Sequence, residues 1–141
     1  HVVKEILNDE GSVVKSVSPN LVRETVSEST SNFINNALYQ TVSGDGGTAG
    51  AAAVAGYEVA GKTGTAQENE KRPNHALFVG YAPTDSPQIA IATRIAYGYG
   101  SSNACVFVDQ VLKYYFKQNT EEELLNGQAT NVGSSSNSFG D

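Results

Sequence analysis

Lys62-Thr63-Gly64-Thr65-Ala66-Gln67 is the stretch on which the fold turns. It leaves a run of small apolar residues at 51–61. Further along stands a second block, Ala76-Leu77-Phe78-Val79-Gly80-Tyr81-Ala82-Pro83, and 88–97 (QIAIATRIAY) follows. Residues 59–65, 76–81 and 88–97 are short and rich in β-branched or aromatic side chains, and the last alternates partly with period two, so all three read as strands. The links between them are a polar stretch at 66–75 holding Pro73 and the turn-like Ala82-Pro83-Thr84-Asp85-Ser86-Pro87. Three strands with short links predict an antiparallel meander.

Outward from that sheet, 2–7 (VVKEIL) and 12–17 (SVVKSV) flank the turn formers Asn8-Asp9-Glu10-Gly11 and predict a β-hairpin that joins the same sheet. Leu21, Val22, Val26, Phe33, Ile34, Ala37, Leu38 and Val42 suit a helical stripe over 20–42, capped by Asn20 and open to a break in its Ser-rich middle. Residues 43–50 (SGDGGTAG) read as a loop. Residues 103–118 place Ala104, Val108, Val111, Leu112, Tyr115 and Phe116 on one helical face, with Asn103 as N-cap and Lys113 and Lys117 toward the end where cations are favoured. Thr120 to Glu123 fits a capping box, so a short helix through Leu125 is expected. From Gly127 onward Gly, Ser, Asn and Thr predominate, which predicts a disordered tail. The expected fold is α+β: an antiparallel sheet with packed helices over 1–118, and an acidic Gly/Ser/Asn-rich tail over 119–141.

The 141 residues are enough to bury a core; chains of this size hide roughly two-thirds of their unfolded surface. The net charge is −6, unevenly spread: residues 1–119 hold eleven acids and nine bases, residues 120–141 four acids and no base. That balance argues against nucleic acid as a partner, since phosphate binding wants a basic face. Cys105 is the single cysteine, which excludes an internal disulfide, and its apolar surroundings predict a packed core residue. His1 and His75 are the two histidines, and no His/Cys cluster has metal-ligand spacing. No apolar run approaches the ~18 residues a membrane span needs, so no direct membrane insertion by this segment is expected. The chain contains no Met, so His1 is expected to mark an excision or cleavage boundary in a longer protein.

The two blocks together resemble the monofunctional, class B penicillin-binding proteins. A lone K-T-G is weak; K-T-G-T-A-Q followed by F-V-G-Y-A-P in this spacing is specific, as are the upstream Gly47-Thr48-Ala49, the third strand and the helix after it. Many relatives carry Trp before the Phe of the second block, where this chain has Leu77, an apolar exchange that alters packing more than chemistry. The resemblance covers residues 1–118 and implies the C-terminal portion of a β-lactamase/transpeptidase-like domain. In such domains K-T-G lies on an edge strand beside the nucleophilic serine. Lys62 would then present a fixed positive charge to the substrate carboxylate and the serine network. Thr63 would hydrogen-bond that carboxylate. Gly64, lacking a Cβ, would let the substrate backbone lie against the strand. The backbone N–H of Thr65 would be one oxyanion donor. Gln67 would line the cleft rim.

The family also needs S-x-x-K at a helix start and a later S-x-N. Ser12-Val13-Val14-Lys15 has the first pattern by letter, but on an expected strand positions i and i+3 face opposite sides, so Lys15 cannot activate Ser12. Ser18-Pro19-Asn20, Ser101-Ser102-Asn103 and Ser135-Ser136-Asn137 match the second pattern, the first directly behind the false S-x-x-K, the others after K-T-G. The nucleophile is therefore expected outside this chain, in the missing N-terminal half of the domain, and the chain alone is expected to be inactive.

The resemblance implies a D,D-transpeptidase that cross-links peptidoglycan stem peptides by acyl transfer through that serine and is acylated by β-lactams. It implies no cofactor and no metal, and a site at the extracytoplasmic face of the bacterial cell membrane. Two other readings stand beside it. Gly56-Tyr57-Glu58-Val59-Ala60-Gly61-Lys62-Thr63 satisfies the nucleotide-binding pattern G-x-x-x-x-G-K-T, although the sequence after Thr63 is a poor helix start and soon reaches Pro73. A penicillin-sensing or degenerate, non-catalytic module could also keep K-T-G.

Overall fold

The computed structural model describes residues 2–126. The expected disordered tail from Gly127 and the Ser135-Ser136-Asn137 triplet lie outside them. The chain divides into two units, His1–Ser31 and Asn32–Asp141.

The first unit holds the expected hairpin. Strands β1 (Glu5–Leu7) and β2 (Val13–Ser16) pair antiparallel, with Glu5 opposite Ser16 and a register shift at Ile6/Leu7. The turn is closed by its own side chain: Asn8 Oδ1 accepts the amides of Glu10 at 3.2 Å and Ser12 at 2.8 Å. Gly11 takes φ +80, open to glycine without a Cβ penalty. The hairpin does not join the larger sheet as expected; it is a two-stranded sheet by itself, every strand residue exposed. Its strands are only three and four residues long and pair with each other.

Helix α1 runs from Glu28 to Ser43, not from residue 20. Asn20 is not its cap. Ser27 is: its Oγ accepts the Thr30 amide at 3.2 Å. The Ser/Thr-rich stretch before it favours local side-chain bonds over helix, which moves the start to the expected break. A 3-10 turn at Gly50–Ala52 then leads to the sheet.

Strands β3 (Ala60–Ala66), β4 (His75–Ala82) and β5 (Ile89–Ile95) form an antiparallel meander in the order β3-β4-β5. The register places Lys62 opposite Val79, Thr63 opposite Phe78, and Phe78 opposite Thr93. One face carries Gly61, Thr63, Ala76, Phe78 and Gly80, all buried. The other carries Lys62, Gly64, Val79 and Arg94, which are open or half-buried. This is the period-two pleat at work. The Phe78 ring lies over two glycines: a Cβ on Gly61 would run into it, and one on Gly80 would meet its edge at 2.7 Å.

Helix α2 (Ser101–Tyr115) covers the buried face, chiefly over β4. Its inward stripe is Ala104, Cys105, Val108 and Leu112, each fully buried, so Cys105 is the core residue expected. The stripe is rotated from the expected one. Ser101 and Asp109 are buried, whereas Tyr115 is 44% exposed. Phe116 stacks on Tyr57 with ring centres 3.7 Å apart. The N-cap is Gly100, not Asn103; Asn103 falls in the first turn and its Nδ2 donates to the Gly98 carbonyl at 2.7 Å. Helix α3 (Glu121–Asn126) opens with the expected capping box: Glu123 Oε2 accepts the Thr120 amide at 2.8 Å and Thr120 Oγ1 accepts the Glu123 amide at 3.2 Å. The architecture is α+β, as read from the sequence.

Candidate active site

All five residues singled out from the sequence fall on β3 or directly after it. Lys62, Thr63, Gly64 and Thr65 are consecutive strand residues, and Gln67 is exposed just past the strand's end. Among the described residues β3 has a strand partner on one side only, so it borders the sheet.

Successive side chains of a strand leave on opposite faces, yet Lys62 and Thr63 meet. The long Lys62 stem folds back over the strand, and its Nζ lies 3.1 Å from the Thr63 carbonyl and 3.2 Å from Thr63 Oγ1. An ammonium has three donors, so a further one is left for a ligand. Thr63 itself is 8% exposed, and its hydroxyl shares a 3.0 Å hydrogen bond with Thr48 Oγ1. A hydroxyl can donate once and accept twice; with Lys62 and Thr48 both donating to it, the Thr63 O–H is left for an incoming carboxylate oxygen.

Thr48 is the residue that sequence reasoning left without a role. The Gly47-Thr48-Ala49 stretch was its signal, but only folding brings it against β3. Two bonds link the loop after α1 to the strand through the end of the helix. Thr41 Oγ1 donates to the Gly61 carbonyl, and the Ala49 amide donates to the Thr41 carbonyl at 2.8 Å. Ala49 is fully buried beside them. The support under Lys62 is therefore a loop anchored by a buried alanine and a helix-end threonine.

Gly64 sits on the open face opposite Leu77, and a Cβ there would come 3.2 Å from the Leu77 Cβ. A side chain at that position would thus crowd the neighbouring strand slightly and the surface of the strand directly.

The imitating patterns resolve differently. Gly61, Lys62 and Thr63 lie inside a strand that continues to Ala66, so no helix follows Thr63. A phosphate loop requires the chain to turn into a helix N-terminus at that point, and the nucleotide-binding reading is set aside on this geometry. Val13, Val14 and Lys15 of the false S-x-x-K lie in β2, an extended strand. Ser101-Ser102-Asn103 opens α2, where Ser101 is buried.

Comparison with known proteins points to one family. The family model of the penicillin-binding protein transpeptidase domain matches residues 1–113. Peptidoglycan D,D-transpeptidase MrdA of Haemophilus influenzae is 39% identical over an alignment of 97 positions that covers 57% of this chain and 15% of that protein. Stage V sporulation protein D of Bacillus subtilis is 41% identical over an alignment of 87 positions that covers 58% of this chain and 13% of that protein. Among solved structures, the D,D-transpeptidase domain of a peptidoglycan glycosyltransferase from Eggerthella lenta is similar with a TM-score of 0.66 and 32% identity, covering 82% of this chain and 26% of that one. The PBP2 of Pseudomonas aeruginosa in complex with WCK 5153 is similar with a TM-score of 0.61 and 34% identity, over 74% of this chain and 24% of that one. The chain thus spans about a quarter or less of these four proteins. With its K-T-G strand, its three-stranded meander and its family match all on the same residues, the chain belongs to the penicillin-binding protein transpeptidase family.

Proposed function

We propose that this chain supplies the substrate-holding strand of a serine-type peptidoglycan D,D-transpeptidase. One observation carries the reading: on a strand that borders its sheet, Thr63 Oγ1 lies within hydrogen-bond distance of both Lys62 Nζ and the loop's Thr48 Oγ1. Fixed donors on a free strand border are what a carboxylate-terminated peptide in extended form needs.

The roles follow by chemistry. The Lys62 ammonium and the Thr63 hydroxyl bind the terminal carboxylate of the stem peptide. Gly64 leaves room for the peptide backbone. The Thr65 N–H donates to the oxyanion that forms when a serine attacks the penultimate D-alanine carbonyl. Gln67 borders the cleft. Terminal D-alanine leaves with the proton returned by the serine's base, and an amine of a neighbouring peptide then takes the acyl group. β-Lactams carry the same carboxylate and carbonyl and acylate the same serine. Peptidoglycan places this work outside the cytoplasmic membrane; no helix of the described residues is long and apolar enough to cross one.

The serine belongs to another segment of the domain, because the 141 residues hold no S-x-x-K at a helix start. Two measurements test this. Labelled penicillin incubated with the 141-residue chain should leave no covalent adduct on a denaturing gel; an adduct on Ser12 would overturn the assignment. In the complete domain carrying these residues, Lys62→Ala should slow acylation by about 10²–10³-fold, the range for removing one fixed charge-stabilising donor. Unchanged acylation would remove Lys62 from the site.

A further inference from the structure

A cluster that this chemistry leaves unused ties the far end of β3 to the turn before α2. His75 opens β4 and pairs across to Ala66, the last residue of β3 and the neighbour of Gln67. Its side chain is buried, 8% exposed. Nδ1 faces the Tyr97 amide at 3.0 Å, and Nε2 faces Arg94 Nη2 at 3.1 Å and Glu68 Oε2 at 3.8 Å.

The two short contacts compete. The Tyr97 amide and the Arg94 guanidinium are both donors, and a neutral imidazole has one accepting nitrogen. The Tyr97 amide is fixed by the backbone, whereas Arg94 is exposed and can turn to water. The amide therefore takes the acceptor at Nδ1, and the ring proton resides on Nε2, which lies 3.8 Å from Glu68 Oε2.

What that bond holds is a costly backbone. Tyr97 and Tyr99 have φ +56 and +66, a left-handed conformation unfavourable for residues with a Cβ. Both are held by the β3–β4 segment. The Tyr99 amide donates to the Asn74 carbonyl at 3.0 Å. The Tyr97 hydroxyl donates to Glu68 Oε2 at 3.1 Å and accepts from Arg72 Nη1 at 2.7 Å. The His75 and Tyr97 rings lie 5.0 Å apart.

We propose that His75, in its Nε2–H form, is a positioning residue: it holds the 97–99 turn against the β3–β4 loop and so fixes the end of β3 from which Gln67 extends. Its use in setting the cleft rim rests on the acyl-transfer reading; the tie itself does not.

The test is made on the 141-residue chain and reads no activity, so the two readings fail separately. A ring-nitrogen NMR spectrum of His75 near neutral pH should show Nε2 protonated and Nδ1 bare, with a coupling from the Tyr97 amide to Nδ1. A protonated Nδ1 overturns the proposal. Amide hydrogen exchange then reads the positioning. His75→Ala should speed exchange at 66–68 and 97–99 by about five- to ten-fold, the loss of one hydrogen bond, while Val108 and Leu112 keep their rates. His75→Asn, whose Oδ1 can replace Nδ1 as acceptor, should restore protection. Unchanged exchange at 66–68, a rise spread evenly over α2, or no rescue by Asn each overturns it. If His75→Ala does not fold, the unsubstituted chain decides: a Tyr97 amide that shows no coupling to His75 Nδ1 overturns the tie.

Discussion

Lys62 discloses a good deal as a letter in a sequence, and it withholds as much. Its charge, its place before Thr-Gly-Thr and its strand were legible there. Its actual neighbours were not. Period-two reasoning sends Lys62 and Thr63 to opposite faces, and only a long flexible side chain defeats that rule at 3.2 Å. Thr48 was illegible for another reason: its contact with Thr63 closes a loop of fifteen residues, and loop composition carries no geometry. Gly61 is the opposite case, a glycine whose purpose the sequence hid inside a false phosphate-binding pattern. In the fold it makes room for the Phe78 ring. Gly61→Ala should destabilise the chain by about 1–3 kcal/mol through overpacking, seen as a lower midpoint in urea. An unchanged midpoint would mean that the ring moves aside freely.

At the scale of elements, the three strands of the meander were legible to within two residues, and the start of α1 was not. The strands announced themselves by composition and by short links. The start of α1 depended on which of several Ser, Thr and Asn residues captured a backbone amide, and Ser27 did. The end of α2 is similar. Lys117 takes φ +59, and the amides of Lys117 and Gln118 return to the carbonyls of Tyr114 and Lys113. That is a Schellman ending with lysine where glycine is usual, so no glycine marked it. The α3 cap was legible because both partners of the box are in the sequence. It also titrates. The Thr120 amide, and then its hydroxyl, hold the Glu123 carboxyl below its ordinary value. A carboxyl lowered in the folded state stabilises at pH values above the ordinary glutamate pKa, and that contribution is lost as pH falls through the lowered value. Helical signal from α3 should therefore decline on acidification below the ordinary glutamate range. Glu123→Gln should flatten that decline; an identical acid profile in the variant would assign the titration elsewhere.

On the scale of the molecule, the buried core is small and several large apolar side chains lie exposed. The sheet-facing side of α2 is closed, but α1 leaves Phe33 76% and Ile34 46% exposed, and Val79 on the uncovered sheet face is 59% exposed. Exposed apolar surface of this kind calls for a partner. In the proposed setting the remainder of the domain is that partner. Alone, the chain should associate with itself at high concentration, and Phe33→Ser should shift sedimentation toward the monomer without lowering the unfolding midpoint. A chain that stays monomeric throughout would show that the apolar face is tolerated in water. The α+β class was legible at this scale because it follows from element order. Which faces stay open was not, since Phe33 and Phe78 look equally hydrophobic as letters, and only packing separates the exposed ring from the 2% exposed one.

The border position of β3 has a consequence of its own. A strand left open to one extended peptide is open in principle to all of them, including another copy of itself. Lys62 lies on that border strand with its ammonium turned back over it, so a copy that pairs there in register brings a second ammonium close to the first. A carboxylate-bearing peptide meets the reverse situation. The lysine proposed to hold the ligand thus also works as a gatekeeper against amyloid-like stacking, and its replacement by a neutral residue would trade selectivity at the strand for stickiness.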